Sequence, residues 1–429
     1  MRTVALTLLA FFHLAVAAAE LPYSKPAAAG FSPERFERVS EVTRRAVENG
    51  TASGVVTLVS RHGRIIYDEA IGTMGLDNEA PMRRDSLFRI YSMTKAVTAV
   101  AALMLYEEGH FQLYDPVSRY LPEFAEMQVY ENGKLRSANR PITIHHLLTH
   151  TSGLSYGYPI DHPALATLDA PDIQSAGDLA TFSEYLAQYP LLFEPGTDWE
   201  YSFATDVLGA LVEELSGQSL GAFFEARIFE PLNMSDTGFA VQADKIDRLT
   251  TLHTWDSDTA SMTAIDGPPF PTPYRVSPID AGGGGLISTA RDYMRFLEML
   301  RNGGTLQSQR ILGPKTITFM MKDHLPRSIT ASNTGPDADL MLGLGASHAL
   351  GIGIYADPVA RGVLSSPGEL EWGGAAGTIY WWDPVEDIVV VIMRQLRSSP
   401  DSLRLRDDMS VAIYQALLDV SEESSHLPD

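Results

Sequence analysis

Residues 85–104 read DSLFRIYSMTKAVTAVAALM, a short strand-like segment that leads directly into an apolar helix. Ser92 and Lys95 stand three positions apart where that helix begins, and residues three apart share one helix face. The ammonium of Lys95 can therefore lie beside the hydroxyl of Ser92, at a helix N-terminus that favours an anion. A lysine with a depressed pKa can take the serine proton, or its charge can hold another base. The pattern predicts Ser92 as a nucleophile with Lys95 as its partner.

The pair Ser-x-x-Lys has little specificity by itself, since an N-capping serine followed by a solvated lysine gives the same letters. No other lysine of this chain has a serine three positions earlier. The context, a strand-like segment before the serine and an apolar helix after it, supports the catalytic interpretation.

Outward from this helix, strand patterns occur towards both ends of the chain. Residues 55–60 and 64–70 predict one antiparallel hairpin, and residues 378–382 and 388–393 predict a second. Helical periodicity dominates the long middle, about residues 96–280. We therefore expect an α+β fold in which one antiparallel sheet is flanked by helices and carries an inserted, mainly helical lobe.

The expected organisation is a single domain over residues 20–429, with a sheet lobe at about 20–90 and 281–429 and a helical lobe at about 91–280. The glycine run at residues 282–285 lacks the Lys-Ser/Thr of a phosphate loop, so it predicts a sharp turn back towards the sheet lobe.

Two further segments complete the predicted site. Tyr201 follows a Pro-Gly turn and leads into a helix, and a tyrosine that shares its proton with a lysine can shuttle it between a serine and a leaving group. Residues 372–375 (Trp372, Gly373, Gly374 and Ala375) precede a strand, where the glycines allow close approach of a substrate. The amide of Ala375 could then pair with that of Ser92 to hold an oxyanion. A core tyrosine and a bulge in an edge strand are the structural alternatives.

These three pieces, in this order, resemble the serine β-lactamase and penicillin-binding protein superfamily, with the stronger likeness to its esterase branch, the family VIII carboxylesterases and related acyltransferases. The likeness covers roughly residues 30–395. Its further matching segments are residues 85–91 (DSLFRIY), 147–154 (LLTHTSGL), 193–196 (FEPG) and 282–289 (GGGGLIST).

The resemblance implies a β-lactamase/transpeptidase-like fold and an acyl-enzyme on Ser92, with Lys95 and Tyr201 as coupled base and acid. Two departures from the β-lactamase pattern bear on the substrate. Phe203 replaces the asparagine of Tyr-x-Asn, and Trp372 replaces the lysine of Lys-Thr-Gly. A charge-assisted hydrogen bond to a carboxylate contributes roughly 1.5–3 kcal/mol, so losing that lysine should weaken selection for penicillins. Neutral acyl esters are therefore expected.

Other functions stay open at this stage. The same fold could hydrolyse β-lactams, cleave D-amino-acid peptides or transfer acyl groups, and a non-catalytic acyl- or peptidoglycan-binding sensor could retain it. Asp206, five residues after Tyr201, could orient the tyrosine–lysine pair or could be a solvated acid at a helix start.

Three motifs compete with this interpretation. Residues 153–157 (GLSYG) match the nucleophile elbow Gly-x-Ser-x-Gly, but a helical segment precedes Ser155 where that elbow needs a strand. Residues 130–132 (YEN) fit Tyr-x-Asn in a polar turn. Residues 315–317 (KTI) lack the glycine of Lys-Thr-Gly.

His146 and His150 have a spacing that could bind zinc, but no His-Glu-x-x-His pattern accompanies them. We expect a structural role for His150, no metal and no cofactor.

Composition narrows partners and location. Lys and Arg total 32 against 54 Asp and Glu, a net charge of −22 that disfavours nucleic acid and anionic membranes. Residues 1–19 predict a cleaved signal peptide, since the apolar run is shorter than a membrane span. The absence of cysteine excludes disulfides and a thiol nucleophile. We expect a periplasmic or secreted protein without stable membrane insertion, acting on a small acyl ester; the oligomeric state is left open.

Overall fold

The computed structural model describes residues 20–76, 78–157, 170–329, 342–343, 345–399 and 402–420. The predicted signal peptide, residues 1–19, lies outside these ranges. Within them, no helix combines the length and the apolar character needed to cross a bilayer.

The strands come from both ends of the chain as well as from its middle. In chain order they are β1 (Gly54–Arg61), β2 (Arg64–Gly75), β3 (Asn78–Pro81), β4 (Phe88–Arg89), β5 (Gln128–Glu131), β6 (Lys134–Ser137), β7 (Leu252–Asp256), β8 (Ser261–Asp266), β9 (Ile287–Ser288), β10 (Thr305–Leu306), β11 (Gln309–Arg310), β12 (Ala346–His348), β13 (Gly353–Tyr355), β14 (Glu369–Gly373), β15 (Ile379–Asp383), β16 (Ile388–Met393) and β17 (Leu396–Arg397).

The largest sheet of the described residues has eight strands in the order β12-β13-β14-β15-β16-β1-β2-β3. Its neighbouring strands pair antiparallel, and β1 joins the two ends of the chain through its pairing with β16. Both predicted hairpins are confirmed, as β1–β2 and β15–β16. The turn of the first uses His62 and Gly63, whose φ angles are 53° and 73°.

The helices lie on both faces of this sheet. In chain order they are α1 (Pro33–Glu48), α2 (Thr94–Glu107), α3 (Ile144–Leu148), α4 (Leu179–Leu186), α5 (Ala204–Ser216), α6 (Leu220–Phe224), α7 (Glu230–Leu232), α8 (Ala290–Arg301), α9 (Pro314–Met320), α10 (Pro358–Arg361) and α11 (Ser402–Tyr414).

Strand β1 shows why the sheet needs cover on both faces. All eight of its residues are buried, and successive side chains of a strand point to opposite faces. Val56 and Leu58 belong to the main core with α2 and α8, whereas Val55 and Val59 pack in a second core with α1 and α11. The sheet is thus the middle layer between two sets of helices, as the α+β prediction required.

The middle of the chain holds more strand than its periodicity predicted. Strands β7 and β8 pair with each other, and β17 from the C-terminal region adds to β7 in parallel. Most side chains of β8 are exposed, so the strand lacks the regular alternation of apolar residues that would have revealed it.

Candidate active site

Ser92 lies in a one-turn 3-10 helix, Tyr91–Met93, that leads into α2. The Ser92 side chain is partly exposed, while Lys95, on the first turn of α2, is 1% exposed. The Nζ atom of Lys95 lies 3.4 Å from the Oγ atom of Ser92. The structure thus brings together the two residues that the Ser-x-x-Lys pattern paired.

The turn that carries Ser92 is held in a strained conformation. Tyr91, directly before it, has a φ of 42°, a left-handed value that costs a non-glycine residue on the order of 1 kcal/mol or more. The surrounding structure enforces it: the amide of Ile90 donates to the Leu286 carbonyl at 3.1 Å, and β4 pairs with β9. Ser92 is therefore positioned by the folded backbone as well as by its own helix.

Lys95 makes two further contacts. Its Nζ donates to the Tyr156 hydroxyl at 2.9 Å and to the Gly283 carbonyl at 2.6 Å. Together with the contact to Ser92 these match the three protons of an ammonium, and a carbonyl can only accept. Burial acts to lower the pKa of Lys95, but Tyr156, Tyr201 and Asp206 oppose it and leave that pKa above its ordinary value. Of the two roles considered for Lys95, the structure favours a fixed cation that holds another base.

Asp206 lies behind this lysine and is 4% exposed, so it is not a solvated acid. Its Oδ1 accepts the amide of Gly283 at 2.9 Å, and the carbonyl of that same glycine meets Lys95. A Cβ at Gly283 would lie 2.4 Å from the other carboxyl oxygen, so this close approach requires glycine. Burial raises the pKa of Asp206, and the charge of Lys95 opposes that rise.

Tyr201 also reaches Lys95, but with its ring. The ammonium lies 4.6 Å from the Tyr201 ring centroid, within the range of a cation–π contact. The Tyr201 hydroxyl accepts the indole N–H of Trp372 at 3.3 Å. Tyr201 and Trp372 are both partly exposed, and their ring centroids lie 5.6 Å apart, so they form one partly exposed aromatic surface, the Tyr201 wall.

Tyr156 is the site residue that sequence reasoning missed. It stands inside the Gly-x-Ser-x-Gly segment that was set aside, and its hydroxyl is in direct contact with Lys95. Burial raises the pKa of Tyr156, and Lys95 acts against that rise. The signal that could have found it is its place just after the family-like segment LLTHTSGL.

Ser155 points away from Lys95 and towards the Tyr201 segment. It is 3% exposed, and its hydroxyl donates to Glu200 Oε1 at 3.0 Å while accepting the Gly157 amide at 2.9 Å. These contacts are those of a turn-stabilising serine. The segment follows α3 and a loop, without the preceding strand that a nucleophile elbow needs.

A set of buried rings packs behind the Tyr201 wall. The His150 ring lies 4.9 Å from that of Tyr201, and the His348 ring lies 5.4 Å from that of Trp372. Trp199 stacks on Tyr201 at an interplanar angle of 15°. His150 also contacts the Ser202 hydroxyl through Nδ1 at 3.2 Å, in keeping with the structural role expected for it.

The segment 372–375 closes the other side of the Ser92 turn. Trp372 and Gly373 end β14, and the Gly374 amide donates to the Thr378 carbonyl at 2.7 Å. A Cβ at Gly374 would lie 2.3 Å from the Ile90 carbonyl oxygen, two residues before Ser92. The glycine thus lets the turn 374–377 lie directly against residues 89–92, the segment that leads to Ser92. Ala375 is exposed at the tip of this turn.

The remaining motifs lie elsewhere. Tyr130 belongs to the hairpin β5–β6, and Lys315 lies on the first turn of α9. His146 caps α3 by accepting the Thr143 amide through Nδ1 at 3.2 Å. Within the described residues, no group of three or more His, Cys, Asp or Glu side chains could hold a metal ion.

The chain is similar to known proteins over most of its length. A family model described as Beta-lactamase matches residues 39–412. Protein Rv1367c of Mycobacterium tuberculosis is 35% identical over 368 residues, which cover 82% of this chain and 88% of that protein. Esterase EstB of Burkholderia gladioli is 34% identical over 395 residues, covering 86% of this chain and 94% of the esterase.

Among solved structures, EstCE1, described as a hydrolase with promiscuous acyltransferase activity, superposes with a TM-score of 0.74. It is 30% identical in sequence, and the match covers 89% of this chain and 99% of EstCE1.

Proposed function

The chain belongs to the β-lactamase family, and from this premise we propose that it is a serine carboxylesterase that forms an acyl-enzyme on Ser92. The observation that carries the proposal is the buried cluster in which the ammonium of Lys95 contacts both the Ser92 and the Tyr156 hydroxyls, with the face of Tyr201 beside it. Its esterase relatives support acyl-ester chemistry by this fold.

In the acylation step, the Oγ atom of Ser92 attacks the ester carbonyl. The proton of the Ser92 hydroxyl passes to a tyrosine oxygen that is already deprotonated. A buried cation stabilises a phenolate strongly because the local dielectric is low. Lys95, fixed by Gly283 and Tyr156, supplies that cation. A proton then passes to the leaving alcohol, and water releases the acid in a second, equivalent step.

The carbonyl oxygen becomes negative during both steps. The amides of Ser92 and Ala375 are the proposed oxyanion donors, because the turn 374–377 lies against the segment before Ser92. One such donor typically contributes about 3 kcal/mol to transition-state stabilisation.

The shape of the wall favours esters over β-lactams. Phe203 packs edge-on against Tyr156 at 4.5 Å between ring centroids, where the β-lactamase pattern has an amide. Trp372 presents an apolar surface where that pattern has a lysine. A neutral group therefore fits this side of the cleft better than a carboxylate.

The test compares p-nitrophenyl butyrate with nitrocefin for the wild type and for Ser92→Ala, and follows acylation by intact mass. We expect turnover of the ester, little turnover of the lactam, and loss of both turnover and acylation in the variant. Fast nitrocefin turnover would instead assign a β-lactamase. No acylation by either compound would leave a binding protein.

Export is proposed on the composition of residues 1–19. Intact mass of protein recovered from a periplasmic extract should show loss of this segment. Recovery of the full-length chain from the cytosolic fraction alone would contradict it.

A further inference from the structure

The segment 395–397 forms hydrogen bonds with Arg89, three residues before Ser92, on one side and with the turn 374–377 on the other. The Gln395 side chain donates to the Arg89 carbonyl at 3.0 Å and accepts the Arg89 amide at 3.2 Å. The next residue, Leu396, donates its amide to the Ala376 carbonyl at 2.8 Å. Three hydrogen bonds therefore fix the backbone that carries Arg397.

The Arg397 side chain lies over the residue that precedes the nucleophile. Its guanidinium carbon is 5.9 Å from the ring centroid of Tyr91. Arg397 is exposed and Tyr91 is partly exposed. Consecutive Cα atoms are about 3.8 Å apart, so the Tyr91 and Ser92 backbones are immediate neighbours. A group bound by Arg397 would thus lie beside the residue that precedes Ser92 in the chain.

None of the ion pairs among the described residues includes Arg397. Within that part of the chain, no acid neutralises the charge of its guanidinium. The nearby acid Asp266 pairs with the buried Arg89 at 2.8 Å instead. In a chain of net charge −22, an unmatched guanidinium at this position gives the cleft a local attraction for an anion.

We propose that Arg397 and Tyr91 form a carboxylate subsite, and that the enzyme favours esters with a free carboxylate a few bonds from the ester, such as hemiesters of medium-chain dicarboxylic acids. The proposal rests on the esterase function above. It is compatible with the apolar Trp372 wall, since Trp372 contacts Tyr201 and Arg397 contacts Tyr91. Guanidinium groups bind carboxylates in a planar, bidentate geometry.

The experiment measures kcat and KM by pH-stat for monoethyl adipate and for the ethyl ester of adipic acid monoamide, which is its neutral counterpart. The variants are Arg397→Gln and the control Arg404→Gln, whose side chain is 74% exposed on α11. We expect the ratio of kcat/KM for the hemiester to that for the amide to fall about threefold to tenfold in Arg397→Gln, through KM. Added NaCl should lower the wild-type ratio towards that of the variant.

An unchanged ratio in Arg397→Gln, or an equal change in Arg404→Gln, would overturn the subsite. Failure of the proposed esterase function would give a different result. In that case the wild type would hydrolyse neither ester, or the Ser92→Ala variant would still hydrolyse both.

Discussion

Two tyrosines meet the same ammonium in different ways. Tyr156, on the loop after α3, places its hydroxyl on Lys95, whereas Tyr201, just before α5, presents its ring face. Their ring centroids are 5.3 Å apart. The Tyr201 oxygen is held instead by Trp372, on the exposed wall of the cleft.

This difference indicates a division of work. The oxygen that touches a cation is the one whose phenolate that cation stabilises most. The oxygen on the exposed wall is better placed to meet a leaving group, because it borders the space that a substrate would occupy. We propose that Tyr156, as the phenolate beside Lys95, takes the Ser92 proton, and that Tyr201 donates a proton to the leaving alcohol and regains one from Tyr156.

The largest effect is expected from a substitution that removes the cation contacted by both tyrosines. Lys95→Met keeps much of the side-chain volume but deletes the charge, so both phenols lose their stabilising partner. We expect kcat/KM for p-nitrophenyl butyrate to fall about 10⁴-fold. Thermal unfolding should show that the variant is folded. Activity within tenfold of wild type would contradict a role for Lys95 in proton transfer.

The next largest effects are expected from substitutions that distinguish the roles of the two tyrosines. Tyr201→Phe should reduce kcat/KM for an ethyl ester about 10³-fold and that for a p-nitrophenyl ester much less, since nitrophenolate leaves without a proton. Tyr156→Phe should reduce both esters alike, about 10²-fold. The control is Tyr114→Phe, whose side chain is 72% exposed. The reverse pattern, with leaving-group dependence in Tyr156→Phe, would exchange the two roles.

A smaller effect is expected at the link between the two tyrosine segments. The hydrogen bond from Ser155 to Glu200 joins the residue before Tyr156 to the residue before Tyr201. One such bond contributes about 1 kcal/mol, so Ser155→Ala should lower kcat about threefold to tenfold with KM unchanged. Ser155→Thr should restore it by keeping a hydroxyl.

Intact mass again distinguishes the alternatives for Ser155. Acylation of Ser92 in Ser155→Ala is the expected result. Complete loss of acylation in that variant, with Ser155→Thr also inactive, would mean that Ser155 is the nucleophile.

His348 belongs to the buried rings behind Tyr201, and replacing it should have the smallest effect on activity at neutral pH. The same replacement should clearly change the stability of the folded protein in acid. Burial lowers the pKa of His348 to about 4, against about 6.5 in an unfolded chain. The folded state therefore binds fewer protons, and the stability that neutral His348 permits is lost as pH falls from about 6.5 to about 4. The full loss is about 3 kcal/mol.

Urea unfolding at pH 7.0, 5.5 and 4.5 measures this loss. His348→Gln should reduce the dependence of unfolding free energy on pH without abolishing it, because burial also lowers the pKa values of His145, His146 and His150. The exposed control His110→Asn should leave the dependence as in the wild type. An unchanged slope in His348→Gln would contradict a buried neutral histidine at this position.

Local patterns predicted helix α2, the two hairpins of the large sheet and part of the site. The helix α2 and both hairpins follow from periodicity, and Ser92 and Lys95 share a face because they are three apart on one helix. Strand β8 escaped because its side chains are mostly exposed. Tyr156 was missed because its contact with Lys95, 61 positions away, forms only in the folded chain; its place after the segment LLTHTSGL was the one indication in the sequence.

From the sequence alone come the Ser92–Lys95 pair, which stands three positions apart, and the likeness to a family, which follows from the order of its motifs. The need for glycine at 283 and 374 comes from Asp206 and Ile90, which are distant in the chain. Only the tertiary structure decides which hydroxyls and carbonyls surround Lys95. Those partners come from Tyr156 and Gly283, on separate segments. Burial acts to lower the pKa of Lys95, and Tyr156, Tyr201 and Asp206 together raise it above its ordinary value. Burial and electrostatics depend on every segment packed around a group, so no local pattern could have assigned that pKa.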